Sequence, residues 1–248
     1  MAKKSGKEVL VEVVPPKKLD ELNSIAEAVS EAELDGIDLP EAPMGVPVGS
    51  APVIAAYLHA KYGVKVVPHL RVTDMNSNAI VNVARALALL GVDRLVLIRG
   101  DEPALGRIVE DVSVERAAQL VKKFTKSKLK VGALLSPRYP LGLVEERVKS
   151  EDIDFFLMLR PLHSHERLKK VRVMVERAGK KLLAYIIVKT PRNAGVLSKI
   201  LRDQPTYAVN EVLDIADKLA GYTDGFVISA PHDLQAAVRL GRTIKLKY

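Results

Sequence analysis

Residues 64–98 read VKVVPHLRVTDMNSNAIVNVARALALLGVDRLVLI and contain one complete strand–helix–strand unit. The opening VKVVP (64–68) and closing RLVLI (94–98) are short runs of branched and leucine side chains, as in strands buried on both faces. Between them Ile80, Ala84, Leu87 and Leu90 recur at helical spacing and form one apolar stripe. Asn76 or Ser77 offers a side-chain oxygen to cap that helix, and Gly91 stops it. Two strands joined through a helix in this way run parallel.

The same alternation extends outward in both directions. Further strand-like runs lie at 9–14, 36–39, 131–135, 155–159, 182–188 and 226–228. Helical stripes follow at Leu168, Val171, Met174 and Ala178, with Gly179 as the stop, and at Val212, Ile215, Ala216 and Leu219. Eight runs, each with room for a helix after it, predict an α/β protein of the closed (β/α)8 TIM-barrel type. An open doubly wound sheet is the competing arrangement. With no low-complexity linker, residues 8–248 read as one domain and residues 1–7 as a loose tail.

Composition narrows the chemistry. With 48% hydrophobic residues the 248-residue chain can bury a sizeable core, and its net charge of +8 favours anionic partners such as phosphate-bearing cofactors. The absence of cysteine removes disulfides, thiolate nucleophiles and cysteine-held metal clusters. The longest uncharged stretch, 42–60, is broken by Pro43, Pro47 and Pro52, so it is not a membrane span, and a cytoplasmic location is expected. No Gly-x-Gly pair or Walker loop occurs. The five histidines lack metal-ligand spacing, and the basic residues are not interleaved with aromatics as in nucleic-acid binders. Neither a metal nor a nucleic acid is therefore expected.

In a barrel of this kind chemistry collects at the C-terminal ends of the strands. Those positions carry Glu12, Asp38, His69, Arg71, Arg99, Asp101, Arg138, Arg160 and Lys189. Three segments stand out among them: Glu12-Val-Val-Pro15-Pro16, Pro68-His69-Leu70, and Arg99-Gly100-Asp101-Glu102-Pro103. In this order and spacing they resemble the methylenetetrahydrofolate reductase family over about residues 8–103.

The resemblance implies a flavin-binding barrel of one-carbon metabolism that reduces a methylene-tetrahydropterin to its methyl form. The implied cofactor is FAD, with FMN as the other choice, reduced by NAD(P)H or another donor. Glu12 matches the family's general acid. Asp101 matches the aspartate beside flavin and pterin, and His69, Arg99 and Gly100 match flavin-contacting positions. Asp38, Arg71 and Tyr139 join the cofactor set, Tyr139 through its Tyr-Pro pair. The second half departs from the family. Arg160 stands near the place of a substrate-reading glutamine and becomes the substrate-binding candidate.

An acid working near neutral pH needs a raised pKa, which burial among Val11, Val13 and Val14 would supply. Other readings of these residues stay open. Glu12 could pair with a core Arg or Lys, Asp101 could cap the following turn or pair with Arg99, and His69 could be a satisfied core residue. At the level of the whole chain, the alternatives are a noncatalytic barrel subunit and a phosphate-handling lyase or isomerase with a cup at 221–230. The expected partners are a small pterin, with a second copy or a redox protein as further candidates.

Overall fold

The computed structural model describes residues 6–200 and 204–248. Eight parallel strands close into a barrel: β1 (Glu8–Glu12), β2 (Gly36–Leu39), β3 (Val66–Arg71), β4 (Arg94–Ile98), β5 (Lys130–Leu135), β6 (Phe155–Met158), β7 (Lys181–Lys189) and β8 (Gly225–Ser229). Each pairs with the next, and β8 returns to β1 in a ladder from Glu8↔Gly225 to Glu12↔Ser229. The closed ring settles the choice against an open sheet.

Helices pack around the ring. They are α1 (Leu19–Glu31), α2 (Ala51–Tyr62), α3 (Ser77–Leu89), α4 (Val114–Thr125), α5 (Leu141–Lys149), α6 (His165–Arg177), α7 (Ala194–Ile200), α8 (Val212–Ala220) and α9 (Leu234–Lys247). Two of them, α7 and α8, follow β7, and a two-residue strand, Tyr207–Ala208, lengthens its edge between them. Asn76 supplies the cap of α3, its Oδ1 accepting from Ala79 N at 3.0 Å.

Several details differ from the sequence reading. Leu90 is the C-cap of α3 and 50% exposed, because the stripe of Ile80, Ala84 and Leu87 ends with the last helical turn. On α6 the buried stripe is Leu168, Val171 and Val175, with Met174 only half-buried and Ala178 exposed. β1 ends at Glu12, two residues early, since Pro15 and Pro16 have no N–H to donate. β3 runs on to Arg71, which places His69 and Arg71 within the strand instead of after it. Of the expected tail, residues 1–5 lie outside the described residues. Lys7 is tied down, its ammonium donating to the Thr223 carbonyl.

The core has two parts. The larger lies between strands and helices. The smaller fills the barrel and comprises Leu10, Val67, Val96, Phe155, Leu157, Leu183, Tyr185 and Val227. Strand side chains alternate, so residues two further along face the same interior one layer nearer the C-terminal mouth. Glu12 follows Leu10, His69 follows Val67, and Ser229 follows Val227 in this way. An apolar plug thus floors a polar layer.

Candidate active site

That polar layer is built by register. Glu12 is the Cα partner of both Asp38 on β2 and Ser229 on β8. The Ser229 hydroxyl donates to Glu12 Oε1. Asp38 is fully buried and has two partners: His69 Nε2 lies 2.9 Å from its Oδ1, and the Tyr185 hydroxyl donates to its Oδ2 at 2.5 Å.

Electrostatics follow from the burial. Loss of water, then the charge of Asp38, raises the Glu12 carboxyl from its ordinary 4.5 to about 7; hydrogen bonds from Ser229 and Tyr185 and the charge of His69 act against this. For His69 burial opposes the charged form. Yet the charge and hydrogen bond of Asp38, helped by Glu12 and Glu41, outweigh burial and raise its pKa. Burial and the two carboxylates push Tyr185 well above its usual range. Glu41 is raised by burial and accepts from Ala51 N at the start of α2.

Arg71, 1% exposed, sits between this layer and the loops. Its guanidinium donates to Ala42 O at 3.0 Å, Asp101 O at 2.5 Å and Asp74 Oδ1 at 3.2 Å. Its Nε lies 2.8 Å from Asp74 Oδ2 without hydrogen-bond alignment. One buried cation therefore ties together the loops after β2, β3 and β4. The Thr73 hydroxyl donates to Arg99 O and holds the last of these from the other side.

Above β4–β6 opens a cavity of about 1010 Å³. Leu97, Ile98, Leu134 and Leu159 supply apolar wall, and Arg99, Gly100, Asp101, Tyr139 and Arg160 line it with polar groups. Tyr139 is 51% exposed, and Arg160 holds a left-handed backbone at φ 53°. A neighbouring cavity of about 490 Å³ shares Arg160 and adds Arg138, His163 and Tyr207. The larger cavity has the volume of a roomy ligand pocket, and its apolar wall beside the guanidiniums of Arg99, Arg147 and Arg160 suits a flat ring carrying an anionic tail. A flavin fits those requirements.

The sequence-derived candidates thus fall into three groups at one end of the barrel. Arg99, Gly100, Asp101, Tyr139 and Arg160 line the cavity. Glu12, Asp38 and His69 form the interior polar layer and are not among the cavity's lining residues. Arg71 braces the loops. Glu12 has Ser229 as its partner, and no Arg or Lys forms an ion pair with it among the described residues. The cap of α4 is Ser113, whose hydroxyl accepts from Arg116 N at 3.1 Å. Residues 221–224 precede β8 and so lie at the opposite end of the barrel from the cavity, while Asp233 caps α9.

Tyr185 and Glu41 escaped the sequence reading, as did the place of Ser229 beside Glu12. The signal for Tyr185 was present: a hydroxyl inside the apolar run of β7 must find a buried partner. Among the described residues no group of three or more potential ligands could hold a metal ion, and no helix is long and apolar enough to cross a membrane.

Comparison with known proteins agrees with this architecture. Among solved structures, an uncharacterized protein from Clostridium thermocellum, described as binding two copies of 5-methyl-5,6,7,8-tetrahydrofolic acid, superposes with a TM-score of 0.64. The match covers 98% of this chain and 96% of that one at 12% identity. A protein from Aquifex aeolicus VF5 superposes with a TM-score of 0.60, covering 98% of this chain and 92% of its own, also at 12% identity. Such distant likeness shows a shared fold. No curated protein matches the sequence. The family model described as Methylenetetrahydrofolate reductase matches residues 1–158, well over half of the chain and every strand from β1 to β6. The chain therefore belongs to the methylenetetrahydrofolate reductase family.

Proposed function

We propose that this protein reduces the methylene bridge of a tetrahydropterin one-carbon carrier to a methyl group, with Glu12 as the general acid. The observation that carries this reading is Glu12 itself. It is a half-buried carboxyl at the barrel mouth whose pKa of about 7 lets it hold a proton at neutral pH and release it on demand. The chain's family membership and the folate bound by its Clostridium thermocellum structural neighbour support the same substrate class.

A flavin, FAD or FMN, would supply hydride to the substrate after reduction by NAD(P)H or another donor. Arg99, Gly100 and Tyr139 would hold it along the cavity wall. Asp101 would orient the pterin edge, and Arg160 would meet the substrate from the end of β6. Glu12 would protonate a nitrogen of the methylene bridge, opening the five-membered ring to an iminium that accepts the hydride. Positioned acid catalysis of this kind contributes roughly 10²- to 10⁴-fold.

The test is direct. The purified protein should take up flavin stoichiometrically, seen as a visible absorption band; once that flavin is reduced with dithionite, which bleaches the band, adding methylene-tetrahydropterin should re-oxidise it and restore the band. Glu12→Gln should keep the flavin and lose at least 100-fold in the second step, by the lower bound of that estimate. A protein that binds methyl-tetrahydropterin yet takes up neither FAD nor FMN would instead be a noncatalytic carrier-binding subunit. That second reading is favoured by the end of the family match at residue 158, just before Arg160.

A further inference from the structure

Two carboxylates face the same interior layer from paired strands, since Glu12 and Asp38 are direct register partners. Two like charges in a water-poor site cannot both ionise at low cost, so the better-solvated one takes the charge and the other keeps a proton. Their surroundings decide which. Asp38 is met by His69 Nε2 at 2.9 Å and by the Tyr185 hydroxyl at 2.5 Å, one partner for each oxygen. Glu12 receives the Ser229 hydroxyl on Oε1 and is also within reach of the Tyr185 hydroxyl, so it has neutral hydroxyl donors and no cationic partner of its own.

We infer that Asp38, clamped between His69 and Tyr185, is the fixed anion that keeps Glu12 in its acid form, and is thus a positioning residue for proton delivery instead of a cofactor ligand. The inference rests on the reading of Glu12 as the acid. It gives a task to the Tyr185 hydroxyl, which the proposed reaction does not otherwise use.

The groups acting on Glu12 come from the strands flanking β1 on either side. Asp38 faces it from β2, His69 from β3, Tyr185 from β7 and Ser229 from β8. Glu41 lies beyond His69 and feels Arg71 and Asp74. The interior residues of β4 and β6, Val96, Phe155 and Leu157, bring no charge. Among these groups Asp38 favours the acid form, while Ser229, His69 and Tyr185 favour the ionised one. Losing the charge of Asp38 and losing the hydroxyl of Tyr185 must therefore act in opposite directions. His69 will shed its own charge once Asp38 is neutral, but of the two Asp38 acts more strongly on Glu12.

The experiment is a carbon-13 NMR titration of ligand-free protein labelled at the glutamate side-chain carboxyl. Glu12 is identified as the resonance lost in Glu12→Gln. Asp38→Asn should lower its midpoint and Tyr185→Phe should raise it. Each unit of movement changes the ionisation equilibrium about tenfold. A Glu12 midpoint that stays put or rises in Asp38→Asn overturns the inference. Both substitutions preserve shape. If Asp38→Asn does not fold, Asp38→Ser takes its place: a lowered Glu12 midpoint supports the assignment and an unmoved or raised one ends it. No flavin or pterin is needed. Opposite shifts in a protein without reductase activity would overturn the proposed function and keep the charge arrangement, and the converse result would separate them the other way.

Discussion

Arg71 occupies the space that a side chain at position 100 would need. A Cβ on Gly100 would lie 2.8 Å from the guanidinium carbon of Arg71, and Gly100 itself holds φ +82°, a conformation that favours glycine. The glycine of Arg99-Gly100-Asp101 therefore has a structural cause independent of any ligand. Gly100→Ala combines backbone strain with a clash against a fully buried side chain. It should lower stability by about 1–3 kcal/mol, read as a fall in the urea midpoint of ligand-free protein.

Replacing the guanidinium tests the other partner. Arg71→Met would strand the carbonyls of Ala42 and Asp101 and the carboxylate of Asp74. Breaking a buried charged network by removing one member costs about 3–5 kcal/mol. Hydrogen exchange should accelerate at 42–45 and 99–104, where the braced loops lie. Arg71→Lys should restore little, because an ammonium cannot reach the same spread of acceptors with planar geometry.

The raised carboxyl of Glu12 makes stability depend on pH. Its folded value is about 7 against an ordinary 4.5, so the unfolded chain gives up that proton first. The contribution is complete below about 4.5, declines as pH rises toward 7, and is level above. The span amounts to about 3 kcal/mol as an order of magnitude. Glu12→Gln has no proton to lose and should match the native protein near pH 4 but exceed its stability at pH 8. His69, also raised, adds stability at low pH that is lost as pH passes its folded value, and this slope should remain in the variant. Denaturant midpoints of both proteins across pH 4–8 decide the matter.

Inside the barrel, a Cβ on Gly132 would lie 2.4 Å from the Phe155 ring, which fills the space beside β5. Gly132→Ala should destabilise by about 1–3 kcal/mol through overpacking. Adding Phe155→Leu should recover part of the loss, because the two positions share one space. Thermal unfolding of the single and double variants reads the coupling.

Much of the architecture was legible in the chain. The run from 64 to 98 announced its strand, cap, helix and strand because each depends on neighbours a few residues away. Where local reading slipped, Leu90 fell past the last turn of α3, and on α6 the rotation of the helix against the barrel buried Val175 instead of Met174. Strand ends are as loose to local pattern, so His69 and Arg71 read as following β3 when they lie in it, facing inward.

Local pattern thus determined the eight strand-like runs, three of the helices and the charged groups at the strand mouths, since side-chain shape and backbone preference act over short spans. Ring closure decided what those groups meet. It sets Ser229 against Glu12 across 217 positions and Tyr185 against Asp38 across 147, contacts that exist because β8 returns to β1 and β7 faces β2 across the interior. A carboxyl's charge depends on the water it loses and the donors it gains, and for Glu12 and Asp38 both are supplied by residues far away in the chain.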